Sequence, residues 1–334
     1  MKYIIYSIII ALAVFTIIMI FIPSTDDFAI DNPLWNGLSM FTEMFKVKPI
    51  TINQVNNLNP QKTIVFVIGP SLSFTKTEAL SLLKYVHRGG ILVIADDYGS
   101  GTTLLYYMNL NVKINKYLIT DPLFKYKSMY MPQVKIKYKG KEFEVYFNYG
   151  STISIGSKVV SLGNSSLFSY IDLNLNKAHD PEEPYGPFNV ACLVNVGHGK
   201  VIVISDSSIF INSMITVGDN ANFIKALISD KEAYVITNKW TLGPYTIMRK
   251  TIFTHIYLVF FTSLRYPTII LIGLLMYLFG KKIHVGFIQR KIAHRINLKE
   301  LVEEVLRKHP NWNPHILHRL AREVYSHEGT SGKD

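Results

Sequence analysis

Two short stretches hold most of the residues that could do chemistry. In ILVIADDYGSG (91–101) an apolar run stops at Asp96 and Asp97, and Gly99, Ser100 and Gly101 follow. In GKVIVISDSSIF (199–210) a second run stops at Asp206, Ser207 and Ser208, with Asn212 just beyond. Acids and hydroxyls at strand ends can hold a ligand by hydrogen bonds. Given a base, a serine there can also attack an electrophile. Ligands of open α/β sheets favour the carboxyl ends of strands. Asp96, Asp97, Ser100, Gly101, Asp206, Ser207, Ser208 and Asn212 are therefore the candidate ligand-binding residues.

Serine catalysis needs a histidine partner, and the sequence holds no G-x-S-x-G elbow. His87 sits at a helix end, His179 in a polar loop, and His255 beside an apolar block. His198 lies in GHGK, which places it at the opposite strand end from Ser207. Asp96, Asp97, Asp206 and Asp219 would give a hard cation its oxygens if the two strand ends adjoin. The reading favoured for Asp96 and Asp206 is that they cap turns by accepting backbone N–H groups. Asn212 and Asn220 read first as turn and cap residues. Cys192, the single cysteine, excludes an internal disulfide and a thiolate metal site. It sits in an apolar run, as a small core residue would. No catalytic residue, metal or cofactor is expected.

These positions need a frame. TIVFVIGP (63–70) suits a strand buried on both faces. SFTKTEALSLLKYVHRGG suits a helix capped by Ser73 or Thr75, with Leu80, Leu83 and Val86 as its stripe and Gly89-Gly90 as its end. With ILVIADD this predicts a right-handed β-α-β unit. TTLLYYMNL reads as a short helix, and VKIKYKGKEFEVYFNYG as a hairpin turning at KGK. Two more β runs follow, separated by NLNKAHDPEEPYGP, expected to be a mobile polar loop. GDNANFIKALI opens a further helix, with Asp219 as its cap.

The remaining signals concern the ends. Residues 3–22 carry no charge, and a second apolar block runs from about 252 to 280. About twenty apolar residues span a bilayer as a helix, so both blocks predict membrane spans, the first an uncleaved anchor. Lys281, Lys282, Arg290, Lys291 and Arg295 follow the second block, and positive charge marks the cytoplasmic side. The expected order is an anchor (1–23), an extracytoplasmic α/β domain (24–251) with a β-rich insertion at about 126–196, a membrane segment (252–280) and a basic cytoplasmic tail (281–334). Both termini would be cytoplasmic. The net charge of +11 is assigned to topology and lipid contact, not to nucleic acid. In the tail, 296–310 and 313–327 read as two helices. Leu298, Leu301, Val302 and Val305 stripe the first; Ile316, Leu317, Leu320 and Val324 stripe the second. Stripes on so short a hairpin invite a protein partner through residues 296–327.

DNPLWNGLS (31–39), LSLLKYVHRGGILVIADDYGSGTTLL (80–105) and GHGKVIVISDSSIFINSMITVGDNANFI (197–224) together resemble a prokaryotic membrane-protein family of unknown function. Its members look like a degenerate class I glutamine amidotransferase, flavodoxin-like domain between transmembrane helices. Their genes often sit beside MoxR-type AAA ATPases. Similar patterns occur in accessory proteins of gliding-type transporters and in an intraflagellar-transport subunit, where the domain is thought to bind rather than catalyse. The resemblance covers about 30–230. It implies a parallel-sheet domain without the cysteine nucleophile, because Cys192 has no glycine elbow. It also implies a non-catalytic binding or scaffold role coupled to an AAA ATPase. The alternatives are a transporter accessory subunit, or a hydrolase or transferase using Ser100 or Ser207.

Overall fold

The structure is a computed structural model; it describes the backbone of residues 2–328 and all side chains except those at 1–3, 5, 20, 260, 279, 281–299 and 324–334. The chain forms two compact units, Met1–Lys250 and Thr251–Asp334.

The first unit opens with α1 (Lys2–Phe21), α2 (Ser39–Phe45), β1 (Lys48–Ile50), β2 (Thr63–Ile68), α3 (Lys76–His87), β3 (Ile91–Ala95) and α4 (Gly101–Tyr107). Then come β4 (Val112–Ile114), β5 (Ile119–Thr120), β6 (Gln133–Tyr138), β7 (Lys141–Tyr146), β8 (Ile153–Ile155), β9 (Val160–Asn164) and β10 (Tyr170–Ile171). It continues through β11 (Asn189–Val196), β12 (Gly199–Ile204), α5 (Asn220–Ile228) and β13 (Glu232–Ile236). Nine strands make one sheet in the order β1-β13-β2-β3-β12-β11-β9-β6-β7. The pairs from β1 to β12 are parallel, and those from β12 to β7 antiparallel. The β-rich stretch thus extends the same sheet.

Every residue of β2 and β3 is buried, as a two-sided strand requires. Ile64, Phe66 and Ile68 face a core with Phe41 of α2 and Phe223 and Leu227 of α5. Val65 and Val67 face another with Leu82 and Tyr85 of α3 and Leu104 and Leu105 of α4. The stripe of α3 differs from expectation: Ala79, Leu82, Tyr85 and Val86 are buried, whereas Leu80 is exposed. Tyr85 fixes this rotation, because its hydroxyl donates to the Thr63 carbonyl at 2.9 Å.

Thr75, not Ser73, caps α3. The Glu78 N–H donates to Thr75 Oγ1 at 3.3 Å, and the Thr75 N–H donates back to Glu78 Oε2 at 2.8 Å. Lys239, itself buried, adds an ion pair to Glu78 at 2.7 Å. Thr75→Ala should cost about 1 kcal/mol in urea unfolding. An unchanged midpoint would remove the cap from the stabilising features of α3.

The β6–β7 hairpin turns where expected. Lys139 and Gly140 take φ of +50° and +76°, the two positive values of a tight hairpin turn. The polar loop at 174–187 is tied together by its own side chains. The Asn174 and Asn176 amides donate to Asp180 Oδ2 at 2.6 and 2.8 Å, and the Glu183 carboxylate is buried. His179 stacks on Tyr185, their ring centroids 3.8 Å apart.

Among the described residues no helix is long and apolar enough to cross a membrane. This overturns the two flanking spans expected at 1–23 and 252–280. The two-pass localisation, with cytoplasmic termini and an extracytoplasmic centre, falls with them. Helix α6 (Pro244–Phe261) carries Arg249 and Lys250. Helix α7 (Arg265–Lys308) follows.

Where a membrane segment and a separate tail helix were expected, α7 is one continuous helix of 44 residues. It is followed by α8 (Pro314–Glu328), capped by Asn313, whose Oδ1 accepts the His315 N–H at 2.9 Å. Val302 is buried, and Ile316 and Leu320 are exposed. The side chains of Lys281, Lys282, Arg290, Lys291, Arg295, Leu298 and Val324, and the end of the tail at 329–334, lie outside the described residues.

Candidate functional site

Ala95 and Ile204 are register partners across β3 and β12, so the two acidic strand ends lie side by side. The first turn is built around the Asp96 carboxylate. Its Oδ1 accepts the Gly99 N–H at 2.8 Å and its Oδ2 the Gly101 N–H at 2.7 Å. A Cβ on Gly99 would stand 2.5 Å from Asp96 Oδ1 and 2.3 Å from the Pro70 oxygen. A Cβ on Gly101 would stand 2.7 Å from Asp96 Oδ2. The Gly-Ser-Gly sequence is therefore set by the close approach of the carboxylate. Ser100, between the glycines, is buried with its hydroxyl facing the Pro70 and Leu72 carbonyls at 3.0 and 2.7 Å.

The second strand end repeats the device. Asp206 is fully buried; its Oδ2 accepts the Asn148 N–H and its Oδ1 the Ser208 N–H, both at 2.6 Å. Ser207 bridges the two turns, its hydroxyl donating to Asp97 Oδ1 at 3.2 Å. Asp97 Oδ1 also accepts the Tyr98 N–H at 3.0 Å.

Burial dominates the electrostatics. It pushes Asp96 up to about 6, against the Gly101 and Gly99 N–H bonds and with help from the Asp97 charge. It raises Asp97 as well, and lifts Asp206 well above the ordinary carboxylate range with the Asp97 charge added. A raised carboxyl holds its proton more readily than a free one. Such a set favours hydrogen bonding and proton holding over nucleophilic attack.

The structure brings Asp96, Asp97, Ser100, Gly101, Asp206, Ser207 and Ser208 together. Asn212 belongs elsewhere. Its Nδ2 donates to the Asn32 and Leu34 carbonyls at 3.0 and 2.6 Å, and its Oδ1 accepts the Met40 N–H at 2.9 Å. It thus pins the DNPLWNGLS segment to the sheet domain. Asp219 is also remote from the cluster's bonds, accepting the Glu144 N–H at 3.1 Å. Among the described residues no three His, Cys, Asp or Glu side chains gather closely enough to hold a metal. His198 does sit at the opposite strand end, its N–H donating to the His87 carbonyl at 3.2 Å. Cys192 is buried in β11, and burial pushes its thiol up to about 12, so it carries no thiolate.

Two contributors escaped the sequence reading. Tyr98 lies between quoted neighbours, and burial and then the Asp97 and Asp206 charges raise its hydroxyl. Asn148 contributes only a backbone N–H, which no residue type announces.

No curated protein matches this chain. Among solved structures, the mmIFT52 N-terminal domain matches at 15% identity and a TM-score of 0.42, over 53% of this chain and 79% of that one. A β-galactosidase from Bacillus circulans sp. alkalophilus matches at 13% identity and a TM-score of 0.31, over 51% of this chain and 22% of that one. A cytoplasmic protein from Salmonella typhimurium LT2 matches at 13% identity and a TM-score of 0.33, over 55% and 76%. Likenesses this weak carry no argument about fold or activity. The sequence of the sheet domain is more informative: residues 30–228 match the model of a domain of unknown function, DUF4350, and the chain belongs to that family.

Proposed function

We propose that the sheet domain is a non-catalytic binding module, a glutamine amidotransferase-like frame that has lost its nucleophile. It holds a ligand or partner at the carboxyl ends of β3 and β12, and residues 296–327 couple it to a protein partner such as a MoxR-type ATPase. One observation carries the reading: Ser100, Ser207 and Cys192, the groups the sequence offers as nucleophiles, are already engaged. Ser100 faces two carbonyls, Ser207 donates to Asp97, and Cys192 is buried as a neutral thiol. Among the described residues no histidine bonds to any of the three. The coupling role is supported by the exposed Trp312, Ile316 and Leu320.

The test is reaction of the full-length protein with a fluorophosphonate probe, read by intact mass. The expected result is no adduct on the native fold. An adduct that disappears in Ser207→Ala or Ser100→Ala would overturn the non-catalytic reading in favour of a serine hydrolase.

A further inference from the structure

The ordered loop after β10 reads D-L-N-L-N-K-A-H-D-P-E-E over 172–183. Oxygen-bearing residues fall at its first, third, fifth, ninth and twelfth positions: Asp172, Asn174, Asn176, Asp180 and Glu183. This is the ligand spacing of a twelve-residue calcium loop, in which the seventh residue adds its main-chain carbonyl. That pattern wants glycine at the sixth position to make a sharp turn. Here Lys177 occupies it with φ +67°, the left-handed conformation glycine would supply.

A second, independent observation points to a cation. Among the described residues, Asp172 Oδ1 is the one buried side-chain polar atom with no hydrogen-bond partner. Asp172 is only 2% exposed. Its other oxygen accepts from the Lys177 N–H inside the loop and from the Tyr130 hydroxyl, both at 3.2 Å. A buried carboxylate oxygen left unpaired is costly, and a divalent ion would remove that cost.

The rest of the loop is tied together by its own side chains. Asn174 and Asn176 both point their amides at Asp180 Oδ2. Their Oδ1 atoms accept the Asn176 and Ala178 N–H groups at 3.0 and 2.8 Å, each with a second lone pair left for a cation. Glu183 is buried, and its two oxygens accept the Leu173 and Asp180 N–H groups at 2.6 and 3.1 Å, leaving lone pairs on both. The base is fastened by the Ile171 N–H donating to the Pro184 carbonyl at 3.2 Å and by the Tyr170–Tyr185 bridge. The three carboxylates alone do not gather as a metal cluster. The set works only with two amide oxygens and a main-chain carbonyl, which suits a large hard cation and not a transition metal.

We propose that residues 172–183 form a calcium-binding loop, with ligands from Asp172, Asn174, Asn176, the Ala178 carbonyl, Asp180 and Glu183. The ion would hold shut the loop on which His179 stacks on Tyr185 and meets Tyr170 edge-on. The left-handed lysine and only three carboxylates place the affinity toward the weak end, at about 10⁻⁵ to 10⁻³ M.

The test is terbium luminescence on the chelator-treated full-length protein, excited through tyrosine and competed by calcium or magnesium. The expected result is sensitised emission displaced by calcium at least about tenfold more readily than by magnesium. Glu183→Gln should weaken calcium binding by about tenfold or more, and Asn176→Ala, at an exposed position, by several-fold. Lys177→Gly should tighten it, because it relieves the turn and removes a positive charge. Melting in chelator separates misfolding from lost binding. No emission at about 1 mM terbium would overturn the proposal. So would equal displacement by magnesium, or affinities unchanged in both the glutamine and alanine variants.

Discussion

Asn212→Ala is expected to destabilise the first unit by about 3 kcal/mol. The side chain makes three strong contacts with a segment some 180 positions earlier, at 2.6, 2.9 and 3.0 Å. Truncation strands the Met40 N–H and the Asn32 carbonyl, and takes one of two partners from the Leu34 carbonyl, which keeps the Gly37 N–H at 3.1 Å. Each loses a partner in a region where Asn32 is fully buried, and an unsatisfied buried group costs about 1–3 kcal/mol. Some of that returns through water. For a unit of this size the loss should lower Tm by about 6 °C or more. Asn212→Asp should fall between wild type and alanine, since it keeps the acceptor for Met40 and loses both donations. Calorimetry of the three proteins checks the order. An alanine variant that melts with wild type would show that residues 31–39 are held by their apolar contacts alone.

What Asn212 holds could not be read locally. Its partners lie far away in sequence, and only the fold brings Leu38 and Phe41 onto the face where Phe66 and Phe210 sit. By contrast, β2, α3 and β3 were legible because their signals are local. Apolar runs, a Thr-x-x-Glu box and a Gly-Gly stop lie within a few residues of what they control. The stripe of α3 was misplaced because it was drawn through leucines. Tyr85 outbid Leu80 for the interior by satisfying its hydroxyl at Thr63. The apolar blocks at both ends show what composition omits. It counts greasy residues, but it does not say that α7 continues past Lys281 as one helix. In the acidic turns, residue types announced Asp96 and Asp206, while their raised pKa values come from burial that spacing cannot supply. The loop at 172–183 was legible in principle. Its oxygens are spaced as a calcium loop requires, yet it lacks the flanking helices and the glycine that make such loops conspicuous, and polarity alone reads as mobility.

Stability should fall as pH rises from about 4 to 7, with the three clustered aspartates as the cause. The sign follows from the direction of their shifts. An acid whose pKa is raised on folding keeps its proton in the native state after the unfolded chain has lost it. The native state then binds more protons, so stability declines with pH until the folded pKa is passed. Asp96, raised to about 6 by burial, loses its contribution between about pH 4 and 6, an effect of about 3 kcal/mol. Asp97 and Asp206, also raised by burial, act in the same direction. Glu78, although burial opposes it, is lowered by its bonds to Lys239 and Thr75. It acts with opposite sign, but below about pH 5, so it does not mask the fall above that point. Thermal melts from pH 5 to 7.5 should therefore show Tm dropping with pH. Asp97→Asn keeps an acceptor for Ser207 and Tyr98 and removes the charge that presses on both neighbours. It should flatten the slope and raise Tm at pH 7. A Tm that climbs with pH, or a variant slope equal to wild type, would exclude the cluster as the titrating element. A gain from Asp97→Asn would mark the strand ends as carrying charge at the expense of stability, as binding sites commonly do.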